Sequence, residues 1–267
     1  MSHDRKDYKG EEPWRFIPKI YIATLEKSRR IPQVEKDLCT MGIQNYEFNY
    51  QIPPLVKNLH NVTLSCTENH LQIYTKALKE KLPFICVFED DVYIPSSHLH
   101  RIKKVLLQVE NFIRTTHDWD IIFLGNFPWK IGNEKSEGIY EGVFWCTHSY
   151  LISERGMRYM LQYSPSQMME IGRKAVPSVF DMFFREGGGI DTFLAYSTTR
   201  NKIKSFAVVP MLVEQSSIAH WTMKARIAEK ISRGGWWSYR IFYIVWVLYW
   251  LILLVIIYTL RKKLIDR

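Results

Sequence analysis

Five apolar residues, Phe84-Ile85-Cys86-Val87-Phe88, run straight into Glu89-Asp90-Asp91. An apolar run of this length, entered from Pro83, reads as a buried strand. Its end brings three acids to one place, and the ends of strands are where open α/β sheets hold their ligands. Like charges this close repel in a poorly hydrated site. A divalent cation removes that penalty, and oxygen-only ligands select a hard ion, Mg²⁺ or Mn²⁺, over Zn²⁺. The same three acids also read as a turn that only solubilises a loop, so the rest of the chain has to decide.

Around this run the pattern alternates between strand and helix. Lys19 to Leu25 reads as a first strand, followed by a charged segment with Arg29 and Arg30 that opens a helix. Glu68 to Lys81 places Leu71, Tyr74, Ala77 and Leu78 on one helical face, and Leu99, Ile102, Val105, Leu106, Val109 and Phe112 repeat that spacing. Asp120 to Gly125 reads as another buried strand. Pro128 to Gly142 has no apolar period and reads as a loop or a lid. Val143 to Ile152 is a further strand, with Ser153 as N-cap of a helix carrying Met157, Met160 and Leu161. Lys204 to Val209 is the last strand, stopped by Pro210. This order predicts an α/β fold with a largely parallel sheet.

A chain of 267 residues with 47% apolar and 14% aromatic content can bury one core, or one core plus a membrane segment. The formal charge of +9 admits nucleic acid, an anionic membrane surface or phosphate-bearing small molecules. No nucleic-acid module accompanies the basic residues, so nucleic acid is not expected as a partner. Cys39, Cys66, Cys86 and Cys146 show no C-x-x-C spacing and read as buried, reduced thiols. Asn61-Val62-Thr63 fits a glycosylation tripeptide, which matters only in a lumenal protein. Residues 1–12 lack the apolar core of a signal peptide and read as disordered. Ile241 to Leu260 is apolar and aromatic throughout, about twenty residues, long enough to cross a bilayer as a helix. The expected organisation is a catalytic domain over 13–225, an interfacial linker over 226–240, a transmembrane helix over 241–260 and a basic tail over 261–267. Such a chain is a single-pass, tail-anchored protein with its catalytic domain in the cytosol.

Four segments, in order, resemble glycosyltransferase family 25. They are Ile20 to Arg30; Cys66-Thr67-Glu68-Asn69-His70-Leu71; Val87-Phe88-Glu89-Asp90-Asp91-Val92; and Asp118-Trp119-Asp120 running into the strand through Gly125. Thr24, Ser65 and Asn69 depart from the family's usual residues, while Cys66, His70 and the Glu-Asp-Asp triplet keep their places. Weaker agreement continues through Ser149 to Gly156, Ile190-Asp191-Thr192-Phe193-Leu194 and Pro210 to Ser217.

The resemblance implies a GT-A type, inverting hexosyltransferase. Its expected donor is a nucleotide-diphospho-sugar, a UDP-sugar carrying galactose or glucose, and its acceptor a glycan, lipid-linked or protein hydroxyl. Asp91 is the expected direct ligand of Mn²⁺ or Mg²⁺ and Glu89 a metal or ribose contact, since alternate residues of an extended segment point the same way, with Asp90 turned to the protein or the sugar. Asp191 is the expected general base, or else a helix N-cap, and Asp120 is its rival, or else a structural acceptor. Thr24, Arg29, Arg30 and His70 are the expected donor contacts. For the arginines the alternative is a solvated helix start, and for His70 a packing role. His220 is either a further metal ligand or an interfacial histidine. His98, His100 and His117 read as surface positions. The alternative for the whole chain is a non-catalytic, glycan- or partner-binding membrane module of the same fold.

Overall fold

The computed structural model describes residues 13–51, 59–175, 189–215 and 247–250. Residues 13–215 belong to one unit and 247–250 to a second. The first unit is built on β1 (Ile20–Leu25), β2 (Glu47–Gln51), β3 (Phe84–Glu89), β5 (Ile121–Ser136), β6 (Ile139–Ser153) and β7 (Ser205–Val208). A two-stranded ribbon pairs β4 (Val92–Tyr93) with β8 (Glu214–Gln215). The helices are α1 (Ile31–Thr40), α2 (Leu59–Lys79), α3 (Ile102–Thr115, preceded by a 3-10 turn over Ser96–Arg101), α4 (Glu154–Met160), α5 (Pro165–Ala175) and α6 (Ile190–Thr199).

The main sheet has the order β2-β1-β3-β6-β5-β7. β1 is parallel to both its neighbours, β5 is parallel to β7, and β6 runs antiparallel to β3, β5 and β7. The sheet is thus largely parallel, as expected, with β6 the reversed strand. β6 is reversed because a two-residue turn at Glu137-Gly138 joins it to β5, and so short a connection can only return antiparallel. Gly138 there has φ +72°, a conformation that glycine adopts at little cost.

Successive side chains of a strand point to opposite faces, and here both faces are apolar. Ile20, Ile22, Cys86, Phe88, Ile122 and Leu124 pack one way, against Val34 and Leu38 of α1 and Val105, Leu106 and Val109 of α3. Tyr21, Ala23, Ile85, Val87, Ile121 and Phe123 pack the other way, against Tyr74 and Ala77 of α2, Met157 and Met160 of α4, and Phe193 and Leu194 of α6. A sheet covered on both faces is why the strands read as unbroken apolar runs.

The structure corrects several expectations. Residues 128–142 form the outer part of the β5–β6 hairpin and not a loop. The apolar period is missing because the ladder shifts register repeatedly between Phe123 and Ser136. The two strands also cross closely, so that a Cβ on Gly142 would sit 2.3 Å from the Lys130 carbonyl oxygen. α2 begins at Leu59, well before Glu68. Over residues 62–70 it turns Ser65, Thr67, Asn69 and His70 inward, so it buries polar groups there. His98 is buried, with Nδ1 3.2 Å from the Leu212 carbonyl oxygen, because Pro210 to Val213 fold back over the 3-10 turn. All four cysteines are free, as expected, but only Cys86 is fully buried; Cys66 and Cys146 are half-buried and Cys39 is exposed.

Among the described residues no helix is long and apolar enough to cross a membrane. Of the apolar stretch 241–260 only 247–250 are described, as helix. The remainder of that expected membrane helix, together with residues 1–12, the linker 226–240, the tail 261–267 and His220, lies outside the described residues.

Candidate active site

The parallel strands β1, β2 and β3 end at one edge of the sheet, and the Glu-Asp-Asp triplet leaves β3 there. Thr24, at the end of β1, is buried and its hydroxyl donates to Asp90 Oδ2 at 2.7 Å. Ser28, in the turn that follows, donates to the same oxygen at 2.7 Å, and an Arg30 guanidinium nitrogen lies 3.1 Å from Oδ1. Asp90 is therefore turned into the protein and locks the β1–α1 turn to β3. That turn carries Arg30 past Asp90 to within 3.5 Å of Asp91 Oδ2. Arg29 is exposed beside it.

Asp91 stands in the opposite situation. It is buried, Gln215 Nε2 donates to Oδ2 at 2.9 Å, and Oδ1 has no hydrogen-bond partner among the described residues. The β4–β8 ribbon brings Gln215 there by pairing Val92 with Gln215. Burial, then the neighbouring Glu89 charge, raise the Asp91 carboxyl, only partly offset by Gln215 and Arg30, and it is pushed up to about 6. An orphaned oxygen on a buried acid calls for an explanation. Together with the Glu89 carboxylate beside it, this oxygen fits a hard divalent cation, whose preferred ligands are carboxylate oxygens.

Glu89 accepts from the Thr147 hydroxyl at 2.8 Å, and its Oε1 lies 3.4 Å from His70 Nε2. Burial pushes the Glu89 carboxyl up, but His70, Thr147 and His148 outweigh it, so Glu89 lies below the usual range and stays ionised. His70 is fully buried on α2. Its Nδ1 sits 2.7 Å from the Tyr150 hydroxyl, which in turn is 2.5 Å from that of Tyr74. His70 thus has the expected packing role, and it also faces Glu89. Cys66, one helical turn before His70, offers its sulfur to the same place.

Asp191 lies in the first turn of α6. Gly189 is the N-cap, so Asp191 is not, although its Oδ1 accepts from the Thr192 N–H at 2.7 Å. Its carboxyl is raised to about 6, mainly by burial, with the Glu89 charge adding and the Thr192 bond and His70 opposing. Asp191 and Glu89 thus share one electrostatic environment.

Asp120 does not belong to this site. It precedes β5 at the start of the strands, beside Phe84 and Ser153, a full strand length from Glu89. There Arg155 donates to both its oxygens, at 2.6 and 3.1 Å, and the Lys204 N–H donates at 2.7 Å. Its expected alternative role, a structural acceptor, is the one the geometry supports. A cleft of about 670 Å³ opens at this edge, but Asp118, Asp120, Arg155 and Lys204 in its wall are paired with one another.

Ser28, Gln215, Thr147 and Tyr150 were not legible as site residues. Gln215 and Thr147 reach the acids through long-range pairing that no local pattern encodes. Ser28 had a local signal, lying between Thr24 and Arg30 in the turn after β1.

A family model for glycosyltransferase family 25 (LPS biosynthesis protein) matches residues 13–173. The chain is 22% identical over 160 residues to the lipooligosaccharide biosynthesis protein lex-1 of Haemophilus influenzae, covering 52% of this chain and 50% of that protein. It is 29% identical over 125 residues to the lacto-N-neotetraose biosynthesis glycosyltransferase LgtE of Neisseria meningitidis serogroup B, covering 42% and 43%. The chain therefore spans about half the length of these relatives. A solved glycosyltransferase involved in glycosylation of the major capsid of PBCV-1 aligns with 72% of this chain and 93% of its own, at 13% identity and a TM-score of 0.36.

Proposed function

The chain belongs to glycosyltransferase family 25, and from that premise we propose that it transfers a hexose, galactose or glucose, from a nucleotide-diphospho-sugar to a hydroxyl acceptor. The observation that carries this reading is Asp91. It is a buried acid with one unsatisfied oxygen, set between a second carboxylate and an arginine at the end of parallel strands. A stable core does not require such an arrangement, and it suits the binding of a diphosphate with its cation.

Asp91 and Glu89 would hold Mn²⁺ or Mg²⁺, which when bound would neutralise charge on the diphosphate leaving group. Arg30 reaches the same region from the β1–α1 turn and supplies a fixed positive charge for a phosphate oxygen. Asp90 holds that turn in place through Thr24, Ser28 and Arg30. Asp191 is the group best suited to take the proton of the acceptor hydroxyl. A carboxyl raised to about 6 is a stronger base than an ordinary one and is still mostly ionised near neutrality. Asp191 acting as base on the acceptor hydroxyl would make this a single displacement that inverts the anomeric carbon.

The names of the two relatives, for lipooligosaccharide and lacto-N-neotetraose biosynthesis, favour a glycan acceptor, lipid-linked or protein-linked. The apolar stretch 241–260 would tether the domain on the cytosolic face of a membrane, close to such an acceptor.

The test incubates the purified full chain in detergent with a panel of nucleotide sugars, with and without Mn²⁺, and follows nucleoside diphosphate release beside an Asp91→Asn control. Metal-dependent release from one donor, absent in the control, is expected. No turnover of any donor would move the reading to a glycan-binding module of the same fold.

A further inference from the structure

The hard-cation reading uses Asp91 and Glu89, but Glu89 also faces a second set of ligands. One ligand atom each from Cys66, His70 and Glu89 lies within 4.8 Å of the others. Cys66 and His70 are four residues apart on α2, so they share a helical face. We propose that Cys66, His70 and Glu89 form a second metal site, selective for Zn²⁺, that competes for Glu89 with the hard cation.

The donor set is the first argument. A thiolate, an imidazole and one carboxylate suit zinc, which takes three protein ligands and leaves a fourth position open, and they suit Mg²⁺ poorly. A tetrahedral zinc with bonds of about 2.0–2.3 Å holds its ligand atoms roughly 3.3–3.8 Å apart. Closing this trio around an ion therefore takes side-chain adjustments of about an ångström.

The second argument is the state of His70. Its Nε2 is fully buried, points at Glu89 and has no hydrogen-bond partner among the described residues. Nδ1 is engaged by the Tyr150 hydroxyl. Without a metal, Nε2 faces Glu89 Oε1 at 3.4 Å; on metal binding, Nδ1–H donating to Tyr150, and Tyr150 donating to Tyr74, would turn the Nε2 lone pair to the ion. A histidine ligand oriented through its other nitrogen is how metal sites are usually supported. Burial keeps the Cys66 thiol protonated without a metal, and the surrounding Glu89, Asp191, Asp91 and Asp90 carboxylates add to this; the same negative potential draws cations. On coordination the Cys66 thiol gives its proton to solvent.

If the sugar-transfer reading holds, zinc bound here takes Glu89 from the donor site and inhibits the enzyme. Binding itself does not depend on that reading. Co²⁺ is the probe, added to the full chain at increasing ratio while the near-ultraviolet sulfur-to-cobalt charge-transfer band is recorded. The expected result is a band saturating at one equivalent and bleached by Zn²⁺. It should persist in Cys146→Ser and Asp91→Asn, be lost in Cys66→Ser with unchanged circular dichroism, and form about 10-fold more weakly in Tyr150→Phe. Should Cys66→Ser not fold, His70→Gln is read instead, with the same loss expected. No band in the wild type, or a band that survives Cys66→Ser or His70→Gln, overturns the proposal. A band from a protein that turns over no donor sinks the sugar-transfer reading and leaves the zinc site standing.

Discussion

The two edges of the sheet hold acids of the same kind in opposite circumstances. Where the strands begin, Asp120 is nearly inaccessible, yet Arg155 and the Lys204 N–H satisfy both its oxygens, and Asp118 pairs with the same two residues. Where β3 ends, Asp91 is about as buried, has one neutral donor, and sits beside Glu89. Burial therefore does not separate a structural acid from a functional one. What separates them is whether the protein itself supplies the counter-charge. At the first edge it does, and the group contributes to stability. At the second it does so only in part, through Arg30, and the under-compensated charge costs free energy until a ligand or cation arrives.

That contrast can be broken most directly by Asp91→Asn, which should lower kcat for nucleoside diphosphate release by about 10³-fold while leaving the circular dichroism spectrum unchanged. Asp191→Asn should cost about 10²-fold or more in kcat with donor affinity retained, as steady-state kinetics would record. An unaltered rate would remove Asp191 from the site.

Stability should move the other way at the two edges. Asp91 titrates near 6 in the folded protein against about 3.9 unfolded. The folded state thus holds the extra proton between those values, and metal-free stability falls as pH rises through this window. Above it the ionised group costs on the order of 3 kcal/mol. Asp91→Asn should therefore be more stable than wild type at pH about 7.5 and equal to it near pH 4 in chemical denaturation without metal, and saturating Mn²⁺ should narrow the gap. Asp120→Asn is expected to lose about 2 kcal/mol, with kcat per folded molecule unchanged. If it reduced kcat as Asp91→Asn does, the division between the edges would fail.

Much of the frame was legible because its signals are local. Phe84 to Phe88 and Asp120 to Gly125 are apolar runs, and both become buried strands. The spacing of Ile102, Val105, Leu106, Val109 and Phe112 marks the face that α3 turns to the sheet, and Ser153 does cap α4 through the Gly156 N–H. The hairpin over 128–142 was not legible, since its strands are bulged and only partly covered, and alternation marks only regular strands with one buried face. The start of α2 was not legible for a related reason, because Ser65 and Thr67 make its inner face polar before Glu68.

The amino-acid sequence by itself determined the α/β alternation, the burial of β3 and the delivery of three acids to its end, because strand periodicity and charge are properties of adjacent residues. Only the tertiary structure decided which acid does what. Asp90 was taken up by Thr24, Ser28 and Arg30, Asp120 by Arg155 and Lys204, and Asp91 was left with Gln215 and the more distant Arg30. A carboxylate's role depends on the donors and charges within a few ångströms of it, and those come from strands and turns far away along the chain.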